Sequence, residues 1–207
     1  MIRLRTVCIG HPISIRGNTG MTGHLKRPVA GPMQITTEGA VGDCIVDRAN
    51  HGGPDQALYL FTDPDRAVWE QSLGRPLPDG TLGENLVIDA TESAALCVGD
   101  LFTIGDVVLQ VTSPRIPCAT LAAFLGDPEL LKRFFAIARP GAYLRVLQPG
   151  TIHPGAAVTL TPWQGERITL STVLTATKDG RDDDYLRRIL MVPAHHKLHA
   201  LARKRLG

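Results

Sequence analysis

The stretch Leu96-Cys-Val-Gly-Asp-Leu-Phe-Thr-Ile-Gly-Asp-Val-Val-Leu-Gln-Val-Thr112 reads as two strands joined at Gly105-Asp106. A Gly-Asp pair between apolar runs marks a hairpin turn, because glycine reaches the positive φ that a tight connection demands. In the second run Val107, Leu109 and Val111 share one face, the period of a half-buried strand. The same pattern continues outward in both directions. Ile2 to Ile9 alternates, and Leu86 to Asp89, 142–148, 156–161 and 167–174 are further strand candidates, punctuated by the chain's 21 glycines and 15 prolines. Residues 17–23, Gly-Asn-Thr-Gly-Met-Thr-Gly, read as a flexible loop. This density of short strands predicts a mainly β fold, a β-barrel rather than alternating βαβ units.

Helices are few and peripheral. Asp63-Pro64 supplies an N-cap and a first-turn proline for a helix through Trp69 to about Leu73, and Asp127-Pro128-Glu129 does the same for one through Phe134 and Phe135. After about residue 177 the pattern changes. Asp182-Asp183-Asp184 suits the first turn of a helix, where carboxylates favour the dipole, and Leu186, Ile189 and Leu190 follow at helical spacing. Pro193 ends that helix, and 195–206 form a second, basic one. The expected organisation is a β-barrel domain over 1–176 and a small helical extension over 177–207.

Bulk properties narrow the function. With 207 residues, the chain suits one well-buried domain plus an appendage. A net charge of +2 gives no general case for nucleic-acid or membrane binding, although Lys197, Arg203, Lys204 and Arg205 cluster near the C-terminus. No stretch approaches the roughly 20 consecutive apolar residues of a membrane helix, and the N-terminus lacks the apolar core of a signal peptide. Cys8, Cys44, Cys97 and Cys118 are scattered, without a Cys-x-x-Cys pair. A reducing cytoplasm is therefore the expected location. Phosphate-loop, dinucleotide-binding, nucleophile-elbow and His-Glu-x-x-His signatures are absent from the sequence.

Three clusters could carry chemistry. In His51-Gly-Gly-Pro-Asp-Gln-Ala-Leu58, Gly52 and Gly53 let backbone approach a ligand, with His51 and Asp55 as flanking donor and acceptor; a plain turn is the alternative. Glu84 and Asn85, in Gly83-Glu-Asn-Leu86, either bind a polar ligand or cap a turn. Val111-Thr-Ser-Pro-Arg-Ile-Pro-Cys118 runs a strand into a loop stiffened by two prolines. There Arg115 can stabilise a Cys118 thiolate, the form that ligates metal or attacks a substrate. His195 and His199 are spaced i, i+4, as two metal ligands could be, with His196 between them; a solvated basic helix is the alternative.

Taken in order, Lys26-Arg-Pro-Val-Ala-Gly-Pro32, Gly39-Ala-Val-Gly-Asp43, His51 to Leu58, Gly83 to Leu86, Val98-Gly-Asp100 and Pro114 to Cys118 resemble the MOSC domain, the molybdenum cofactor sulfurase C-terminal family. Within it the chain is most similar to the 6-N-hydroxylaminopurine resistance branch, from about residue 24 to 162, with a tail like that branch's helical extension. Gly141-Ala-Tyr143 stands where relatives often carry Gly-Trp.

The resemblance implies a β-barrel that holds molybdenum cofactor, a molybdopterin, with Cys118 as the metal ligand. Arg115, Thr112 and Ser113 would then lie near the pterin or its phosphate, and His51, Gly52, Gly53, Asp55, Glu84 and Asn85 would line the same pocket. Cys118, with Asp55 or His51 relaying a proton, would serve reduction of N-hydroxylated bases such as 6-N-hydroxylaminopurine. The electrons would come from a separate reductase. The rival is a sulfur-carrier or cofactor-transfer module in which Cys118 carries persulfide or anchors cofactor in transit. A degenerate domain binding some other anion or flavin is the third reading. Whether the chain acts as a monomer or a homodimer stays open at this level.

Overall fold

The computed structural model describes residues 1–14, 20–47 and 51–207. The expected 17–23 loop lies partly outside them. Among the described residues, β1 (Ile2–Gly10), β2 (Ile13–Ser14), β3 (Met21–Thr22), β4 (Lys26–Pro28), β5 (Met33–Thr36) and β6 (Gly39–Ala40) come first. They are followed by β7 (Leu58–Thr62), α1 (Asp63–Leu73), β8 (Leu86–Ile88), β9 (Leu101–Ile104) and β10 (Val107–Ser113). Then come α2 (Ala119–Leu125), α3 (Leu130–Ile137), β11 (Ala142–Gln148), β12 (Gly150–Ile152) and β13 (Ala157–Thr161). Three helices close the chain: α4 (Leu170–Asp179), α5 (Asp183–Ile189) and α6 (His196–Leu206).

Seven strands form a closed barrel in the order β13-β9-β10-β11-β7-β8-β1, with β1 pairing back to β13 through Ile2 with Val158 and Arg3 with Ala157. Closure leaves no sheet edge to protect. The hairpin that opened the sequence reading is β9–β10: Ile104 pairs with Val107, and Gly105 sits at φ 57°. Val107, Leu109 and Val111 are fully buried in the barrel. In β1 a register shift between Leu4 and Thr6 changes the inward set, so that Leu4 and then Val7 face the core.

All pairs in the barrel are antiparallel except β7–β8, which α1 connects as a crossover. Every residue of β7 is buried, because the strand separates two cores. Leu58 and Leu60 face the barrel, whereas Tyr59 and Phe61 join Trp69 of α1, Leu121 of α2 and Phe134 of α3. This outer core anchors the segments that shape the site described below.

Four local readings differ from the structure, one being the Asp127 cap: α3 starts at Leu130 with Glu129 before it, and Asp127 Oδ1 instead accepts the Glu129 N–H at 2.9 Å in the preceding turn. The helix after residue 62 is capped by Thr62, whose Oγ1 accepts the Asp65 N–H at 3.2 Å, so Asp63 is its first residue rather than its cap. Residues 167–174 are not a strand. Beyond an isolated Cys97–Thr169 bridge, Thr169 caps α4 by accepting the Thr172 N–H. The β-branched run suggested a strand, but Leu170, Val173 and Leu174 are buried at helical spacing. The short helix α2, directly after Pro117-Cys118, was not expected.

The tail packs onto the barrel. Leu186, Ile189, Val192 and Ala202 belong to the same apolar core as Leu109 and Val111.

Candidate functional site

A cavity of about 260 Å³ lies where the loops after β3, β6 and β10 meet β7 and β11. Arg115 and Cys118 come from the proline-stiffened loop after β10, and Cys118 is the N-cap of α2. His51 and Gly52 come from the turn before β7, and Asn85 from the entry to β8. These five are the sequence-singled residues that share the cavity.

The electrostatics centre on Arg115 and Cys118. Arg115 is only 5% exposed. Its Nη1 donates to the Leu82 carbonyl at 2.6 Å, and its Nη2 lies 3.3 Å from His24 Nδ1. The guanidinium carbon sits 5.1 Å from the Tyr59 ring centre, a cation–π contact. Among the described residues no carboxylate pairs with it, and its Nε has no hydrogen-bond partner. A buried guanidinium is costly without a counter-charge, and the nearby group able to supply one is the Cys118 sulfur. Burial raises the Cys118 thiol's pKa. The His51 hydrogen bond, the Leu121 N–H facing the sulfur and the Arg115 charge outweigh burial and bring it down to about 6. The balance favours the Cys118 thiolate far more than in an ordinary cysteine. By contrast, burial and the nearby Glu84 and Asp79 carboxylates push Cys8 up to about 12.

His24 is held neutral: burial and the Arg115 and Lys26 charges push its pKa well below the usual histidine range. At the opposite wall Lys26 donates to Asp43, which also accepts Asn85 Nδ2 at 2.8 Å and the Gly10 N–H at 2.7 Å. Asn85 Oδ1 accepts the Tyr59 N–H at 3.1 Å, so this side chain ties β7 to the Asp43 loop. His24, Lys26, Asp43, Tyr59 and Tyr143 line the cavity but were not among the sequence-level site residues. Lys26 and Asp43 stood in the quoted motifs, yet nothing local shows that residues so far apart form one buried ion pair.

The other expected site residues lie outside this cavity. Glu84 is fully buried, its carboxylate accepting from Arg66 at 2.7 Å and from the Gly80 and Leu82 N–H groups. It fixes the 80–84 turn from behind. Thr112 Oγ1 donates to the Asp55 carbonyl at 2.6 Å. Gly53, at φ 78°, caps the short 3-10 turn Pro54–Gln56. Asp55 faces Arg145, which binds its Oδ1 at 2.6 and 2.8 Å, and the His196 N–H and Nδ1, which meet its Oδ2 at 2.7 and 2.8 Å. Burial raises its pKa, but these partners bring it down to about 2. Asp55 thus anchors the turn bearing His51 to the tail.

Ser113 lines a second cavity of about 200 Å³, which shares His51, Gln56 and Tyr143 with the first.

The expected His195/His199 pair is not assembled. His199 Nε2 donates to the Ile189 and Val192 carbonyls at 3.1 and 2.9 Å. His195, His196 and Asp55 do come within 4.8 Å of one another. However, Arg145 and His196 occupy both Asp55 oxygens, and His195 Nδ1 accepts the Lys197 N–H. Among the described residues no helix is long and apolar enough to cross a membrane.

A closed barrel with a buried arginine beside a cysteine of lowered pKa, both in a loop leaving the barrel wall, defines a β-barrel protein with a cavity at the end of the barrel. The MOSC domain pattern matches residues 47–159, more than half of the chain, and the chain belongs to the MOSC family. MOSC domains are associated with molybdenum cofactor binding. The chain is 37% identical over 139 residues to YflK of Bacillus subtilis (strain 168), an uncharacterized protein, covering 67% of this chain and 63% of YflK. It is 34% identical over 140 residues to a protein named "Reductase" from Gibberella moniliformis, covering 65% of this chain but 25% of that protein. The match thus spans less than two thirds of either relative. It is 26% identical over 172 residues to YiiM of Escherichia coli (strain K12), covering 80% and 75% of the two chains. The crystal structure of YiiM from Geobacillus stearothermophilus superposes with a TM-score of 0.82 at 26% identity, covering 100% of both chains.

Proposed function

We propose that this chain binds molybdenum cofactor in the first cavity through the Cys118 thiolate and reduces N-hydroxylated bases or related compounds, with electrons from a separate reductase. The observation that carries the reading is the buried Arg115, unpaired with any carboxylate among the described residues, next to a thiol whose pKa falls to about 6. The donor set fits the cofactor: a thiolate is the soft ligand a transition metal takes, and a buried guanidinium with a free Nε suits an anionic pterin ligand. Gly83 lets the cavity wall pack directly on His24 and Arg115, since a side chain there would run into both.

When bound, the cofactor would supply the two-electron reduction of the N–O bond. The balanced reaction is R–NHOH plus two electrons and two protons giving R–NH2 and water. Cys118 would hold the metal, Arg115 would neutralise charge beside it, and His51, hydrogen-bonded to the sulfur, would be the proton donor on the cavity wall. Asn85 and Gly52 shape the wall. Gly53, Glu84 and Thr112 act from behind it as positioning residues, and Ser113 belongs to the adjoining chamber. Asp55, turned onto Arg145 and His196, is assigned to positioning His51 rather than to proton transfer. The four free cysteines suit a reducing cytoplasm.

The lowered thiol pKa also favours the sulfur-carrier reading, because a thiolate accepts persulfide sulfur. One experiment separates the two. The protein and its Cys118→Ser variant are purified anaerobically from a cofactor-producing host, and molybdenum, pterin and cysteine persulfide are measured. Near-stoichiometric molybdenum in the parent and none in the variant is expected. Persulfide without molybdenum in the parent overturns the reductase reading in favour of the carrier.

A further inference from the structure

The second cavity is built by the tail against the barrel. Its floor is Ser113, Pro114 and Ile116, directly upstream of Cys118 in the same loop. Thr177 of α4 and Arg181 after it form one wall, and His195, Lys197 and Leu198 form the other. This chamber and the first cavity adjoin. Because they meet at His51, Gln56 and Tyr143, a molecule seated in one can reach into the other.

The charged side chains that line the chamber are basic, and the Asp55 carboxylate behind His195 is taken up by Arg145 and His196. Arg181 and Lys197 line it, and no carboxylate does. Asp182 is occupied in capping α5, where it accepts the Tyr185 N–H at 2.8 Å, and Asp179, Asp183 and Asp184 do not line the chamber. Arg181 makes no ion pair among the described residues. Its Nη2 donates to Thr177 Oγ1 at 3.0 Å, and its Nε is buried without a partner. His195 is 4% exposed and its Nδ1 accepts the Lys197 N–H, which leaves the ring proton on Nε2 as a donor. Pro114, Ile116, Val173 and Leu198 supply apolar surface between these groups.

A guanidinium with an unpartnered Nε and a neutral imidazole donor around an apolar floor suit a phosphomonoester carried on a flat heterocycle. We infer that this chamber is a phosphate-accepting substrate subsite, so that the molecules reduced are N-hydroxylated nucleoside 5′-monophosphates, with the N–O group at the junction beside His51, Gln56 and Tyr143. The redox part rests on the function proposed above; the phosphate subsite does not. It also gives the helical tail a task, since Arg181, His195 and Lys197 all belong to it.

The test is equilibrium binding of adenosine 5′-monophosphate, adenosine and inorganic phosphate to the cofactor-free full-length protein at low ionic strength. The monophosphate is expected to bind at least about tenfold tighter than adenosine, as one charge-assisted contact would give. Added salt should weaken only the monophosphate. Arg181→Gln should bring the ratio close to one, and Arg181→Lys should keep part of the preference; thermal melting confirms that both variants fold. Equal affinities in the parent, or a ratio unchanged in Arg181→Gln, would overturn the subsite. Cofactor-loaded protein must still bind the monophosphate. Loss of binding on loading assigns the chamber to the cofactor's own phosphate and overturns the substrate assignment. On loaded protein, kcat/KM should favour the N-hydroxylated nucleotide over free 6-N-hydroxylaminopurine. Reduction of neither, with the monophosphate preference intact, overturns the reductase reading and leaves the subsite standing.

Discussion

Replacing His51 with Gln should return the Cys118 thiol toward ordinary acidity. In the folded protein the thiol's pKa falls from 9.0 to about 6, a difference of three units. At 1.36 kcal/mol per unit this is about 4 kcal/mol in favour of the thiolate. Burial opposes it, so His51, the Leu121 N–H and Arg115 together supply more than that, with His51 foremost. At pH 7 a pKa of about 6 leaves roughly nine-tenths of the sulfur as thiolate, against roughly one-hundredth for an unshifted thiol. Removal of the His51 hydrogen bond and charge should raise the apparent pKa by at least about one unit. The assay is the rate of iodoacetamide alkylation of cofactor-free protein from pH 4.5 to 10, with Cys118→Ser as the blank for the other thiols. Cys8 and Cys97 are buried with raised pKa values, so they contribute little below pH 8. The reasoning is refuted if the Cys118-dependent rate titrates near 9 in the parent, or if His51→Gln leaves its midpoint where it was.

Three further outcomes follow from the same geometry. Glu84→Gln removes the charge from a fully buried carboxylate that binds Arg66 and two backbone N–H groups, and should cost about 3 kcal/mol in urea unfolding, as expected for a broken buried pair. Asp55→Asn should destabilise at neutral pH by on the order of 2 kcal/mol, because the folded pKa of about 2 lies below the ordinary 3.8. The Asp55 contribution is present above pH 3.8 and fades as pH falls through 2, so the gap between parent and variant should narrow across that window in acid unfolding. Gly83→Ala should lower the melting temperature and molybdenum retention together. Gly83 sits at φ 82°, and an added Cβ would lie 2.8 Å from the His24 ring and 3.1 Å from Arg115 Nη1; stability without any loss of molybdenum would contradict that packing.

Local patterning carried the barrel. The β9–β10 hairpin was legible because Gly105-Asp106 and the alternation of Val107, Leu109 and Val111 are nearest-neighbour facts. The tail helices α5 and α6 were legible for the same reason, through the Asp182 cap and the Pro193 break. The sequence also marked His51, Gly52, Asn85, Arg115 and Cys118 as chemically unusual, and these line one cavity. Only the tertiary structure decided what surrounds them. The Lys26–Asp43 pair, the His24–Arg115 contact across 91 positions and the placement of Tyr143 depend on barrel closure, which no local spacing encodes. It also decided against two local readings. Residues 167–174 read as a strand, yet Leu170–Asp179 is a helix, because helical spacing buries Leu170, Val173 and Leu174 against both cores. Asp55, three residues from the pocket glycine Gly52, turns away from the pocket because Arg145 and His196 satisfy its charge on the other side. Backbone preference and side-chain period are properties of neighbouring residues, whereas a site is defined by which buried charges find partners, and distant segments supply those partners only once the chain has folded.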